Sequence, residues 1–180
     1  KRAIHPKKIK FGQKEIICPL DPDSNGTWIG TSKLFTMVLL NGGYKNHNSK
    51  PPYRQSRGKV ILDFLKIESP EIFFRNFEFQ NMEPFTLVLF EDNNRKNITE
   101  IRWDSNQKTF NEFDGTTPKI WSSVTLYSEN AIMKRSNWFF DHLSNNDLSA
   151  NSVLKFHHNG GSFDKYDSIK LKRENGIKTQ

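Results

Sequence analysis

Residues 21–68, DPDSNGTWIGTSKLFTMVLLNGGYKNHNSKPPYRQSRGKVILDFLKIE, decide the architecture, because they set the order turn, strand, strand, loop, helix. Asp21 to Gly26 is dense in turn formers, and Thr27 to Gly30 is short, β-branched and aromatic, a turn entering a strand. Phe35 to Leu40 is almost continuously apolar and ends at Asn41-Gly42-Gly43. It is too short for an ordinary helix and fits a strand buried on both faces. After a loop carrying Pro51 and Pro52, Ser56 is placed to cap a helix whose apolar residues Val60, Ile61, Phe64 and Leu65 recur at helical spacing. Arg57 then falls in the first turn, where the helix dipole disfavours a cation. It either holds an anion there or is simply solvated.

Downstream, Ser69-Pro70-Glu71 opens a short helix through Phe77, with an N-cap, a proline at the first position and an acid in the first turn. Phe85 to Phe90, Ile98 to Asp104, Lys108 to Phe113 and Pro118 to Thr125 read as strands of an antiparallel meander, separated by Asn, Asp and Gly clusters. A longer helix is expected from Ser128, with Ile132, Phe139 and Leu143 on one face and Arg135 off it. Ser149 caps a further helix that ends before Gly160-Gly161. Asp167 to Lys172 and Ile177 onward suggest a closing hairpin around Asn175-Gly176. Strands in two blocks, each followed by helices, favour an α+β arrangement of stacked sheets covered by helices.

With 180 residues, fifteen Phe and four Trp, the chain can bury one substantial core. No apolar stretch approaches the roughly 20 residues of a membrane-spanning helix. The net charge of +7 is concentrated in lysines near both ends, without any recognisable nucleic-acid-binding signature. Nucleic acid is therefore not the expected partner. The single cysteine, Cys18, excludes an internal disulfide and fits a reducing, cytoplasmic compartment. It follows Ile16 and Ile17 in a strand-like run and is expected to be a small buried core residue.

Three motifs are set aside. Asp21-x-Asp23-x-Asn25-Gly26 copies the opening of a calcium loop, but the twelfth position, which needs a bidentate Glu, is Ser32. Asn25-Gly26-Thr27 and Asn97-Ile98-Thr99 match the glycosylation triplet, which matters only in a secreted protein. His157-His158 point in different directions from one helix and find no cysteine pair or carboxylate to complete a metal set. Neither a metal nor a cofactor is expected.

Gly26-Thr27-Trp28-Ile29-Gly30, then Leu39-Leu40-Asn41, then Ser56-Arg57-Gly58 leading into Asp63-Phe64-Leu65 resemble, in order and spacing, the NRDE family, which includes the transport and Golgi organisation protein 2 group. The resemblance extends through Glu83-Pro84-Phe85-Thr86-Leu87, Ile101-Arg102-Trp103-Asp104 and Ile120-Trp121-Ser122-Ser123. It implies an α+β fold of the N-terminal nucleophile hydrolase type, a four-layer αββα sandwich, lacking its first strand in this chain. It also implies an absent N-terminal segment, because the Asn-Arg-Asp-Glu sequence that names the family does not occur here; with a start at Lys1 without Met and a stop at Gln180 inside a strand pattern, a single NRDE-like domain over residues 1–180, truncated at both ends, is expected.

In such hydrolases a Cys, Ser or Thr at the mature N-terminus attacks an amide carbonyl, and its own α-amine, with a pKa of roughly 7.7–8.0, serves as base. Asn41 matches the asparagine that ends the family's central strand, and the resemblance implies that its amide donates to the oxyanion; its other role is to cap the turn before Gly42-Gly43. Ser123 falls near a second polar position where the family often has asparagine. Thr27 and Trp28 would line the substrate cleft or pack the strand, and Arg57 would receive a carboxylate or phosphate. The nucleophile is not in this chain, so the fragment is expected to be inactive. Two readings follow. One is a hydrolase of an amide carbon–nitrogen bond in a small-molecule substrate. The other is a non-catalytic binding or trafficking protein for haem or an acyl, lipid-like ligand, with His157 or His158 as an axial ligand or merely a favourable charge at a helix C-terminus.

Overall fold

A computed structural model describes residues 3–92, 97–164 and 166–170. The chain divides into two compact units, Lys1–Lys119 and Ile120–Gln180. The described residues of the first contain seven strands: β1 (Ile4–Phe11), β2 (Lys14–Leu20), β3 (Ile29–Thr31), β4 (Phe35–Asn41), β5 (Phe85–Glu91), β6 (Asn97–Trp103) and β7 (Lys108–Asp114). They form one sheet in chain order, every neighbouring pair antiparallel. A 3-10 turn (Arg57–Lys59) and helices α1 (Val60–Ile67) and α2 (Pro70–Asn76) are inserted between β4 and β5. By sequence the lysine-rich start is only terminal charge. Lys7, Lys8 and Lys10 instead stand on β1, at the edge of the sheet, where charged side chains discourage pairing with another chain.

The register aligns Leu39 with Leu87, Ile101 and Phe110 across β4 to β7, and Asn41 with Phe85, Trp103 and Lys108. Phe35, Met37 and Leu39 are buried, together with Val60, Ile61, Phe64 and Leu65 of α1. Phe64 meets the ring of Phe35 edge-on at 5.0 Å and that of Phe73 in α2 at 5.6 Å. Full burial of one such side chain contributes roughly 1.5–3 kcal/mol, which outweighs the small intrinsic preference of so short a helix. The opposite face of β4 carries Thr36, Val38 and Leu40, which are only half-buried. The apolar run thus belongs to a strand fully covered on one face, a correction to the two-sided burial expected from its sequence. β5 is the strand buried on both faces through Leu89.

In the second unit, α3 (Glu129–Asn145) is capped by Ser128, whose hydroxyl accepts from the Ala131 amide, and α4 (Ala150–Asn159) is capped in the same way by Ser149. Two expectations need correction. Pro118 to Thr125 forms no strand with the described residues; the segment runs irregularly into a turn closed by the Leu126 amide on the Ser123 carbonyl at 3.2 Å. Arg135 is not off the buried face of α3. It lies three residues from Ile132 and four from Phe139, hence on their side of the helix, and it is 4% exposed. Its guanidinium donates to the carbonyls of Asp167 (2.9 Å) and Ser168 (2.6 Å) and lies 3.5 Å from the centroid of Tyr127. Residues 167–170 form turns and bends rather than the first strand of a hairpin. The rest of that expected hairpin lies outside the described residues. No described helix is long and apolar enough to cross a membrane.

Candidate functional site at the end of β4

The loop before β3 is shaped by its own polar groups. Asp21 Oδ1 accepts from the amides of Asp23 (2.8 Å) and Ser24 (3.2 Å), and the Asp21 amide donates to the Gly26 carbonyl (2.9 Å). These amide bonds, from Asp23 first and Ser24 second, hold the Asp21 carboxyl below the usual carboxylate range. The carboxylate that opened a calcium-like motif is therefore occupied in building the turn.

The loop then crosses the entrance to α1. The Thr27 amide donates to the Gly58 carbonyl at 2.7 Å, and the Leu39 amide donates to the Trp28 carbonyl at 2.8 Å, docking the segment onto β4. Ser56 accepts from the Gly58 amide at 3.3 Å and caps the 3-10 turn that leads into α1. Between these segments lies a cleft of about 290 Å³. Thr27, Trp28, Asn41 and Arg57, four of the five residues singled out in the sequence, line it together with Asp21, Ser56 and Leu39.

Each lining residue is held differently. Thr27 is 1% exposed, and its hydroxyl donates to the Ile29 carbonyl at 2.8 Å, so it shapes the floor. Trp28 is 44% exposed and forms an open apolar wall. Asn41 is exposed at the strand end, just before Gly42, whose amide donates to the Pro84 carbonyl at 2.9 Å. Arg57 is not simply solvated. Its Nη2 lies 3.1 Å from Glu83 Oε2, and its Nη1 donates to the Pro84 carbonyl at 3.1 Å. The other oxygen of Glu83 is 3.3 Å from His47 Nε2. Burial lowers the Arg57 pKa, and the neighbouring Glu83 charge opposes that shift.

Glu83 and His47 were missed as site residues. The sequence by itself carries no signal for either: only the pairing of Asn41 with Phe85 brings Glu83, just before β5, beside the end of β4. Ser123 lies in the second unit, buried, with its hydroxyl 3.0 Å from that of Thr125. His157 and His158 are both exposed in the last turn of α4. Cys18 is 1% exposed in β2; burial pushes its thiol pKa up, with the Thr27 hydroxyl acting the other way. Among the described residues no cluster of His, Cys, Asp and Glu is placed to hold a metal ion.

Among curated proteins, none matches the chain. The family profile described as Transport and Golgi organisation 2 matches residues 1–169. With nearly the whole length covered, the chain belongs to the Transport and Golgi organisation 2 family, an NRDE-like family.

Proposed function

We propose that the chain is the body of an N-terminal nucleophile-type hydrolase that cleaves an amide carbon–nitrogen bond, with the cleft at the end of β4 as its substrate site. The observation that carries the reading is the convergence of Thr27, Trp28, Asn41 and Arg57, drawn from three separate stretches, on one cleft of substrate size. In this reading Asn41 donates its side-chain amide to the oxyanion, Trp28 packs the apolar part of the substrate, and Arg57 orients a polar group. Ser123 enters on the family resemblance alone, as a second donor. The reading brings with it the four-layer αββα sandwich, a single domain over residues 1–180, and the cytoplasmic setting that a lone buried cysteine suits. Cys18 is too enclosed to be the nucleophile, which would instead be the first residue of the mature chain.

Intact mass and N-terminal sequencing of the full-length protein from its source test the proposal, followed by a panel of small amides. A mature chain beginning with Cys, Ser or Thr, with turnover lost when that residue is blocked, is the expected result. A blocked or non-nucleophilic first residue without turnover would overturn it. The half-exposed indole of Trp28 beside Leu39 favours one second reading, a non-catalytic site for an apolar acyl ligand or haem. Saturable binding of either without turnover would support that reading.

A further inference from the structure

The chain as a whole is strongly basic, yet the charges around the cleft are not. Among the described residues Arg57 is the one cation lining it, and a carboxylate already sits on the guanidinium. The Arg57 and Glu83 side chains are 17% and 23% exposed, so water screens the pair only partly. Both terminal nitrogens of Arg57 have partners, Glu83 and the Pro84 carbonyl. His47 on the second Glu83 oxygen steadies the carboxylate from behind. Glu83 stands behind the lining, on Arg57, whereas another carboxylate, Asp21, lines the cleft itself. An incoming anion would share one guanidinium with Glu83 and face Asp21 as well, and like charges so close cost free energy that a neutral group does not incur.

We infer that Glu83 is a specificity-determining residue: by occupying Arg57 it makes the cleft select a neutral, amide-bearing group over a carboxylate or phosphate. This rests on the cleft being the substrate site proposed above, and it replaces the anion-receiving role that the sequence suggested for Arg57. Arg57 then acts as a shaped dipole that orients a carbonyl oxygen, rather than as a free charge that attracts anions. The substrate class is a neutral amide whose group near Arg57 carries no ionised acid.

The test compares two nearly isosteric probes, N-acetylglycinamide (neutral) and N-acetylglycine (anionic), on the isotope-labelled full-length protein. The indole N–H resonance of Trp28, assigned with Trp28→Phe, reports occupancy of the cleft. Wild type is expected to bind the neutral probe at least about tenfold more tightly. Glu83→Gln, which keeps the side-chain shape while removing the charge, is expected to raise affinity for the anion by about tenfold and to leave the neutral probe within about twofold. Equal or tighter binding of the anion by wild type overturns the inference, as does an unchanged ratio in Glu83→Gln. Should that variant fail to fold, Glu83→Met, which also removes the charge, takes its place, and an unchanged ratio there likewise overturns the inference. If neither probe moves the Trp28 resonance, the cleft itself is not a polar-ligand site, and the functional proposal falls together with the inference.

Discussion

Gly26 and Gly58 touch backbone to backbone: a Cβ on Gly26 would lie 2.7 Å from the Gly58 carbonyl carbon, and one on Gly58 would lie 3.1 Å from the Gly26 Cα. The adjacent Thr27 amide donates to the Gly58 carbonyl at 2.7 Å. This crossing joins the loop before β3 to the entrance of α1 and thereby sets the width of the cleft. Gly26→Ala would push backbone against backbone, which cannot be relieved by a side-chain rotation. It is expected to cost about 1–3 kcal/mol, with Gly58→Ala costing less because its contacts are looser. Urea unfolding of both variants checks the order, and a Gly26→Ala midpoint equal to wild type would show that the crossing tolerates separation.

That crossing explains what the sequence disclosed and what it hid. Gly26-Thr27-Trp28 and Ser56-Arg57-Gly58 were legible as motifs because the same backbone contact demands glycine in each. The helices at Ser69, Ser128 and Ser149 were legible because a cap is a local signal, and each of these serines accepts from the amide three residues on. Partnership across the fold was not legible. Glu83 reaches Arg57 from 26 positions away, and Arg135 buries its charge on carbonyls of Asp167 and Ser168. Pro118 to Thr125 failed for the related reason that a strand-like run of residues does not by itself supply a neighbouring strand.

Phe64 is the joint between helix and sheet. It is fully buried, edge-on to Phe35 at 5.0 Å and to Phe73 at 5.6 Å. Phe64→Ala is expected to lose about 3–5 kcal/mol, from lost transfer energy and the cavity left behind, and Phe64→Leu substantially less. Chemical denaturation measures both, and a loss below about 1 kcal/mol for the alanine variant would mean that α1 collapses onto the sheet to fill the gap.

In the second unit, Lys134 Nζ lies 2.8 Å from both Asp164 and Asp167. The Lys134 ammonium, with the amides of Asp167 and Tyr166, lowers the Asp164 pKa to about 2. The bonds to Asp164 and Asp167 raise that of Lys134 to about 12. Asp164 has its folded pKa below the unfolded value, so its contribution is full above roughly pH 4 and disappears as pH falls to about 2. For Lys134 the sign is opposite: the contribution is full below roughly pH 10.4 and disappears as pH rises through about 12. Thermal midpoints of wild type and Asp164→Asn are therefore expected to differ at pH 6 and to converge toward pH 2. A gap that persists at pH 2 would assign the difference to packing rather than charge.

Asn41 separates the chemical reading of the cleft from a merely structural one. If its amide donates to the oxyanion, that bond strengthens only as the tetrahedral intermediate forms. In the full-length enzyme Asn41→Ala should then lower kcat by about 10²–10³ with little change in KM. Asn41→Asp should fail at least as badly, because a carboxylate cannot donate and adds a negative charge where one develops. If Asn41 instead only caps the turn at Gly42, the alanine variant should lose about 1 kcal/mol of stability and keep its kcat. Measuring kcat, KM and the urea midpoint on the same preparations distinguishes the two, and an undiminished kcat in either variant would remove Asn41 from the catalytic role.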